Sequence, residues 1–441
     1  MGMTIRTSAE TSVWEALSHL AYRLIVVMLL PVMLVRLWLK GGDYRRHLSE
    51  RFLGRLPALS SSPVLWLHAV SVGETQAAYP LLRAWLRDTP EGQVLLTHTT
   101  PTGRATGARL FAQELNTRVF QTYLPYDQPW AVRAFLRQAR PTLGLLMETE
   151  LWPELLMQAE ALGVPIVLLN GRLSARSARQ MQRLSWLSKP ALRRLALILV
   201  QADEHGARFQ ALSPQSTIRR TGNLKFDLAR SADQIERGEA WRASLALQPA
   251  RKHVVLLASS RDDEEAAFFS AWVANPPPST LLVVVPRHPE RFDRVVDLAR
   301  ACGLSVGRRS QNGSGLIDAI EVWVGDSLGE MQAYVAMSDL VVIGGSLLPL
   351  GGQNPIEACA QGRPVIFGPH MFNFPEVSRQ MLGVEAAKQV EDAPAAIRVA
   401  HDWLSDEPER MRRGAAAMCY AEQHRGATKR SLAALRELGL L

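Results

Sequence analysis

The sequence predicts an α/β fold of two Rossmann-like domains, each a parallel sheet covered by helices, facing a cleft, with an N-terminal hydrophobic membrane anchor ahead of them. Three observations predict it. From Pro63 onward short apolar runs alternate with amphipathic stretches, the pattern of strands buried on both faces by helices. The runs fall into two series, separated by a polar, charged stretch between 228 and 251 that contains no apolar strand. The length of 441 residues, at roughly 150 residues per domain, leaves room for two or three cores.

The first element is the run Leu24-Ile-Val-Val-Met-Leu-Leu-Pro-Val-Met-Leu-Val35, followed by Arg36, Trp38, Lys40, Arg45 and Arg46. A spanning helix needs roughly 20 mostly apolar residues, and this run holds Arg23 and Arg36 at its ends and Pro31 within it. Three readings follow: a span from 21 to 38 with snorkelling arginines, an anchor lying in the membrane interface, or a buried core helix. The flanking basic residues and Trp38 suit a headgroup boundary, and a span would leave the main body on the cytoplasmic side. The first strand series covers 64–68, 93–97, 143–147, 166–169 and 195–200, and the second covers 253–258, 280–285, 321–324, 340–343 and 364–367. These divide the chain into an anchor at 1–45, a first domain at 46–227 and a second domain, with C-terminal helices, at 228–441.

The composition, 47% hydrophobic and 21% charged, excludes a disordered or collagen-like chain. Cys302, Cys359 and Cys419 are too far apart for a zinc cluster, and three buried thiols in a reducing compartment is the reading they support. A net charge of +8 favours anionic partners. Nucleic acid is the weakest of these, because the basic residues are dispersed and no recognition motif occurs.

In an open parallel sheet, ligands bind at the carboxyl ends of strands. After the first strand comes His68-Ala-Val-Ser-Val-Gly-Glu74, where Glu74 enters a helix. It is either a general base within reach of a hydroxyl or a complement to the helix dipole. Thr97-His-Thr-Thr-Pro-Thr-Gly-Arg-Ala-Thr-Gly107 reads as a capped turn or an anion cradle, without the lysine of a P-loop. Met147-Glu-Thr-Glu-Leu-Trp-Pro-Glu154 places Glu148 and Glu150 at a strand end, where they either bind acceptor hydroxyls or orient a basic residue. Arg172 and Arg176, four apart, would share a helical face and turn toward an anion.

In the second half, Arg287 of Pro286-Arg-His-Pro-Glu-Arg291 is a forked donor suited to phosphate. The stretch Gly344-Gly-Ser-Leu-Leu-Pro-Leu-Gly-Gly-Gln-Asn-Pro-Ile-Glu357 is read as a nucleotide loop. Asn354 would cap a helix opened by Pro355, glycines would free backbone N–H groups for phosphate, and Glu357 would take a ribose. His370 either contacts ligand or is a satisfied loop histidine.

These stretches, with Tyr123-Leu-Pro-Tyr-Asp127, Arg172-Leu-Ser-Ala-Arg-Ser177 and Thr221-Gly-Asn-Leu-Lys-Phe-Asp227, occur in the order seen in a known family. From about Arg51 to Phe374 the chain resembles the 3-deoxy-D-manno-oct-2-ulosonic acid (Kdo) transferases of lipopolysaccharide inner-core synthesis. The resemblance implies an inverting, metal-independent GT-B glycosyltransferase at the cytoplasmic face of the inner membrane. It would move Kdo from CMP-Kdo to the tetraacylated lipid A precursor, with no cofactor. Glu74 would be the base. Donor contacts would fall at Ser260, Arg287, His288, Gly345, Ser346, Gly352, Asn354 and Glu357, and acceptor contacts at Ser71, Glu148, Arg172 and Arg176. The chain departs from the family at Ala258-Ser-Ser-Arg261, followed by Asp262-Asp-Glu-Glu265, where a histidine is common in place of Arg261. It departs again at Gln353, where a histidine is also common, and at Gly171. Gln353 donates a hydrogen bond but cannot act as an acid near neutrality. Two other readings stay open: a GT-B transferase or epimerase using another nucleotide-sugar, and a non-catalytic membrane-surface binding protein.

Overall fold

The computed structural model describes residues 13–59, 63–228, 230–246, 252–261, 263–312 and 320–441. The chain forms two compact units, Met1–Leu228 with Arg425–Leu441, and Ala229–His424.

The first unit contains β1 (Val64–His68), β2 (Gln93–His98), β3 (Val119–Tyr123), β4 (Leu143–Met147), β5 (Ile166–Gly171), β6 (Leu197–Val200) and β7 (Ile218–Arg220). They pair in the order β3-β2-β1-β4-β5-β6-β7, parallel throughout. The second unit contains β8 (His253–Ser260), β9 (Thr280–Pro286), β10 (Val306–Arg308), β11 (Val322–Val324), β12 (Leu340–Ile343), β13 (Val365–Phe367) and β14 (Ala387–Gln389). Its parallel order is β10-β11-β9-β8-β12-β13-β14. In both sheets the strand order reverses beside the first strand, between β1 and β4 and between β8 and β12. Those are the crevices in which such sheets bind ligands.

Continuous apolar runs form the central strands because helices cover both faces: every residue of β1, β4 and β9 is buried. Gly144 in β4 makes room for a neighbour. A Cβ there would sit 2.5 Å from Ile166 Cδ1 and 2.7 Å from Trp66 Cε3. Four strands, β3, β7, β10 and β14, are not announced by apolar runs, and they are the four sheet edges. An edge strand such as Ile218-Arg-Arg220 has one neighbour and a wetter face, so it carries no apolar signature.

The second unit ends at His424, short of the expected Leu441. Ala427, Leu432, Ala434 and Leu435 of the closing helix, Ala427–Glu437, join the core of Leu65, Leu67 and Leu145. Asp227 holds the start of that helix by accepting from the N–H groups of Gly426, at 2.6 Å, and Thr428. Periodicity identifies this helix as amphipathic but does not say which core its stripe fills.

The N-terminal segment is helical over Val13–Met28 and Leu30–Lys40, with Pro31 at the second segment's start. Only 11% of its most apolar window is buried, which rules out the core-helix reading. In the same unit, Asp127 caps the helix Pro153–Ala161, whose own N-cap residue Trp152 offers no side-chain bond. Its carboxylate accepts from Glu154 N at 2.9 Å and Leu155 N at 2.8 Å, and from Tyr22 Oη at 2.7 Å. Replacing Asp127 by Ala leaves two helix N–H groups and a phenol without their acceptor. Urea unfolding of the full chain is expected to show a loss of about 2 kcal/mol, partly recovered in Asp127→Asn.

Candidate active site

In the first unit the chain leaves β1 and enters the helix Val72–Asp88 through a reciprocal cap. Ser71 Oγ accepts from Glu74 N at 3.3 Å and donates to Glu74 Oε1 at 3.1 Å, while Glu74 Oε2 accepts from Val70 N at 2.8 Å. The spacing Ser-x-x-Glu is that of a capping box, which fixes the carboxyl at the sheet crevice. The half-buried carboxyl is pushed up to about 7, chiefly by burial and then by the charge of Glu148, against the two hydrogen bonds.

Glu148 follows β4 in the left-handed region, at φ 56°. An acidic residue held there stores backbone strain, a condition that clusters at functional sites. Lys225 Nζ stands 3.0 Å from Glu148 Oε1. Glu150 accepts from Trp152 Nε1 at 2.9 Å, and burial, helped by Glu148, raises its pKa. Glu148 therefore both orients a basic residue and raises the affinity of Glu74 for a proton. Lys225 lies in the Asn-Leu-Lys-Phe-Asp block, and nothing local in the sequence pairs it with a residue 77 positions away.

The two arginines are not on one helical face. The helix is Ala175–Arg183, capped by Ser174 Oγ accepting from Ser177 N, so Arg172 lies in the loop before it. Arg176 is exposed on the first turn, and Arg172 is half-buried, its N–H 3.4 Å from Glu148 O. The Thr97–Gly107 stretch is a capped turn: Thr100 Oγ1 accepts from Gly103 N at 3.2 Å and donates to Val70 O at 2.8 Å. Two buried histidines flank the site without acting as bases near neutrality. Burial pushes His68 down to about 3 and His98 to about 4.

In the second unit Arg287, just past β9, is exposed; its backbone N donates to Ser260 O at 2.9 Å, while its guanidinium has no hydrogen-bond or ion-pair partner among the described residues. Partial loss of hydration and the neighbouring Arg261 lower its pKa, opposed by Glu357. A guanidinium without a carboxylate partner beside a second one makes an electropositive spot fit for an anion. Burial raises the pKa of Glu357, and Asn354 Nδ2 donates to its Oε1 at 3.3 Å. His288 is partly exposed, with Nδ1 4.0 Å from Glu290.

The glycine loop departs from the expectation of free amides. Gly345 N donates to both oxygens of Glu264, at 2.6 and 2.8 Å, Gly352 N to Gly345 O at 2.7 Å, and Gln353 N to Gly344 O at 3.0 Å. These amides are spent on holding the loop. The glycines answer close packing as well: a Cβ on Gly344 would lie 2.4 Å from Ser259 O, and one on Gly352 2.2 Å from Met371 Sδ. The helix that follows, Ile356–Ala360, is a short one with Pro355 at its N-cap position and no side-chain cap bond from it. Asn354 therefore stands one residue earlier than expected, its Oδ1 accepting from Ile356 N at 3.1 Å. Ser346 is buried, donating to Ile343 O and accepting from Gly368 N at 2.8 Å. Ser260 donates to Glu265 Oε1 at 3.0 Å, and Glu265 Oε2 is 2.8 Å from Arg291 Nη2. Glu264 also accepts from Arg261 N at 2.7 Å, and burial pushes it up to about 7. His370 N donates to Ser346 O. Asp262 lies outside the described residues. Among the described residues no group of three or more His, Cys, Asp or Glu is placed to hold a metal ion.

Two seven-stranded parallel sheets with these crevices define a GT-B glycosyltransferase fold. A glycosyltransferase from Rickettsia africae aligns with TM-score 0.59 at 10% identity, over 86% of this chain and 99% of that one. Alr3699/HepE of Anabaena, solved with UDP and glucose, aligns with TM-score 0.57 at 15% identity, over 86% and 100%. Residues 46–228 match the family described as 3-deoxy-D-manno-octulosonic-acid transferase. The 3-deoxy-D-manno-octulosonic acid transferase of Bordetella pertussis is 42% identical over 94% of this chain and 98% of its own length. That of Haemophilus influenzae is 34% identical over 90% and 92%. The chain belongs to the Kdo transferase family and is a glycosyltransferase.

Proposed function

We propose that this protein transfers Kdo from CMP-Kdo to the tetraacylated lipid A precursor, lipid IVA, with inversion and without a metal, in lipopolysaccharide inner-core synthesis. The observation that carries the reading is Glu74, a carboxyl held by a capping box at the carboxyl end of β1 and poised near pH 7. In the reaction the acceptor's primary hydroxyl attacks the anomeric carbon of Kdo and its proton passes to Glu74. The bond from that carbon to the CMP phosphate oxygen breaks, and CMP leaves with the electron pair. Arg287 meets the charge that develops on the phosphate, and Glu357 takes the cytidine ribose. Ser260, His288, Gly345, Ser346, Gly352 and Asn354 shape the donor side. Glu148, Arg172 and Arg176 line the acceptor side, and Ser71 holds the base. The membrane that carries the acceptor is reached through the N-terminal apolar segment, at the cytoplasmic face of the inner membrane.

The test incubates the purified chain with CMP-Kdo generated in situ and lipid IVA and reads products by mass spectrometry. A mass increase of one or more Kdo residues is expected. Transfer from a different nucleotide-sugar, with none from CMP-Kdo, would refute the donor assignment.

The pH dependence follows from the base. Glu74 must be ionised to take the proton, so the rate is expected to rise with pH and level off above about 7. The charge of Glu148 raises that pKa, so Glu148→Gln is expected to move the rising limb to lower pH. A limb that stays in place in pH–rate profiles of the variant would count against the coupling.

A further inference from the structure

The N-terminal helix carries two faces that the apolar run conceals. Glu15, His19, Tyr22 and Arg23 recur at helical spacing on one side of Val13–Met28, and each is bonded to the body of the first unit. His19 Nε2 and Arg23 Nε both lie 2.7 Å from Glu154 Oε2, and Arg23 Nη2 donates to Glu154 Oε1 at 2.9 Å. Tyr22 donates to Asp127 at 2.7 Å, and Glu15 accepts from Arg193 at 2.7 Å and Arg194 at 2.9 Å. Glu154 is fully buried. Although burial alone would raise it, the bonds from His19, Arg23 and Gln158 hold its carboxyl at about 2. Withdrawing this helix from the unit would take both basic partners, His19 and Arg23, from the Glu154 carboxylate.

The opposite side is apolar and uncovered. Leu17, Leu20, Leu24, Met28, Val32 and Leu39 are all exposed, Met28 and Leu39 to 77%. With the segment fixed through Arg23, the stretch beyond it, residues 24–39, is about 24 Å long at ~1.5 Å per residue, short of the roughly 30 Å of a bilayer core, and Val26 and Leu37 within it are buried. It also contains Arg36. Its far end is dressed for a headgroup layer: Arg45 stacks 4.3 Å over Trp38 and donates to its carbonyl. Arg183, Trp186 and Lys189 are exposed on the helices at Ala175–Arg183 and Ser185–Arg193, the second of which packs on the N-terminal helix.

We propose that the N-terminal segment does not span the bilayer but lies in one leaflet, its polar side clamped to the first unit through Glu154, Asp127 and Arg193/Arg194. Its partner is the acyl layer of that leaflet, rimmed by anionic headgroups that meet the basic side chains. The clamp grips the helix Pro153–Ala161, which directly follows the loop carrying Glu148 and Glu150, so the seat in the membrane and the acidic loop move as one element. The proposal rests on the membrane association put forward above.

The test places a single cysteine at either end of the segment, Ala16→Cys or Asp43→Cys, in the full chain with its three native cysteines replaced by Ser or Ala. Membranes from an expressing bacterial host are treated with a membrane-impermeant maleimide, as intact spheroplasts and as inverted vesicles. Both positions are expected to label in inverted vesicles and neither in spheroplasts. Labelling of Ala16→Cys from outside spheroplasts, with Asp43→Cys labelled only in inverted vesicles, would overturn the proposal and leave membrane association standing. Recovery of the protein in the soluble fraction would overturn both.

Discussion

Glu74→Gln is expected to reduce Kdo transfer by about a hundredfold to ten-thousandfold, the range in which a positioned general base contributes. The amide oxygen can still accept from Val70 N or from Ser71 Oγ, so the capping box loses little and the helix Val72–Asp88 keeps its start. What is lost is the ability to take a proton. The rising limb at about pH 7 should vanish with it, because that limb reports Glu74 itself. Urea unfolding and CMP binding should match the wild type. Transfer within tenfold of the wild-type rate would show that the proton leaves by another route.

Arg287→Met is expected to weaken transfer by about a hundredfold to a thousandfold, the cost of removing one preorganised donor from a developing charge. Among the described residues the Arg287 guanidinium makes no ion pair, so the substitution breaks none. Stability should therefore change little, while CMP affinity, read by calorimetry, falls. Arg287→Lys should recover only part of the loss, since an ammonium cannot grip two phosphate oxygens in one plane. Unchanged CMP affinity in Arg287→Met would remove Arg287 from the phosphate site.

What could be read in advance tracks how locally each feature is determined. The central strands were visible because burial on both faces requires a continuous apolar run, as in Val64–His68 and Thr280–Pro286. The edge strands were not, because one-sided pairing makes no such demand of Val306-Gly-Arg308. The place of Glu74, at the turn from a strand into a helix, could be read because a strand end and a helix start are set locally. The salt bridge from Lys225 to Glu148 is set by tertiary geometry alone. The glycine loop was visible as a loop, but the amide of Gly345 is answered by Glu264, a buried acid 81 positions away, and helix periodicity says nothing of that. The faces of the N-terminal segment are a similar case. Hydropathy averages over the turn that holds His19, Tyr22 and Arg23, and only their bonds to Glu154 and Asp127 separate a docked side from a bare one.

The return of residues 425–441 to the first unit sets an order of assembly. The whole second unit lies between the two pieces of the first, so during synthesis it is complete while the core around Leu65 and Leu145 still lacks Leu432 and Leu435. The apolar helix at the amino end reaches the ribosome exit long before the scaffold that clamps it is finished. A nascent chain thus exposes its apolar surface while the unit bearing Glu74 waits for its last helix. Premature termination anywhere in the second unit would yield fragments that still carry the exposed apolar helix, beside a first unit with a gap in its core.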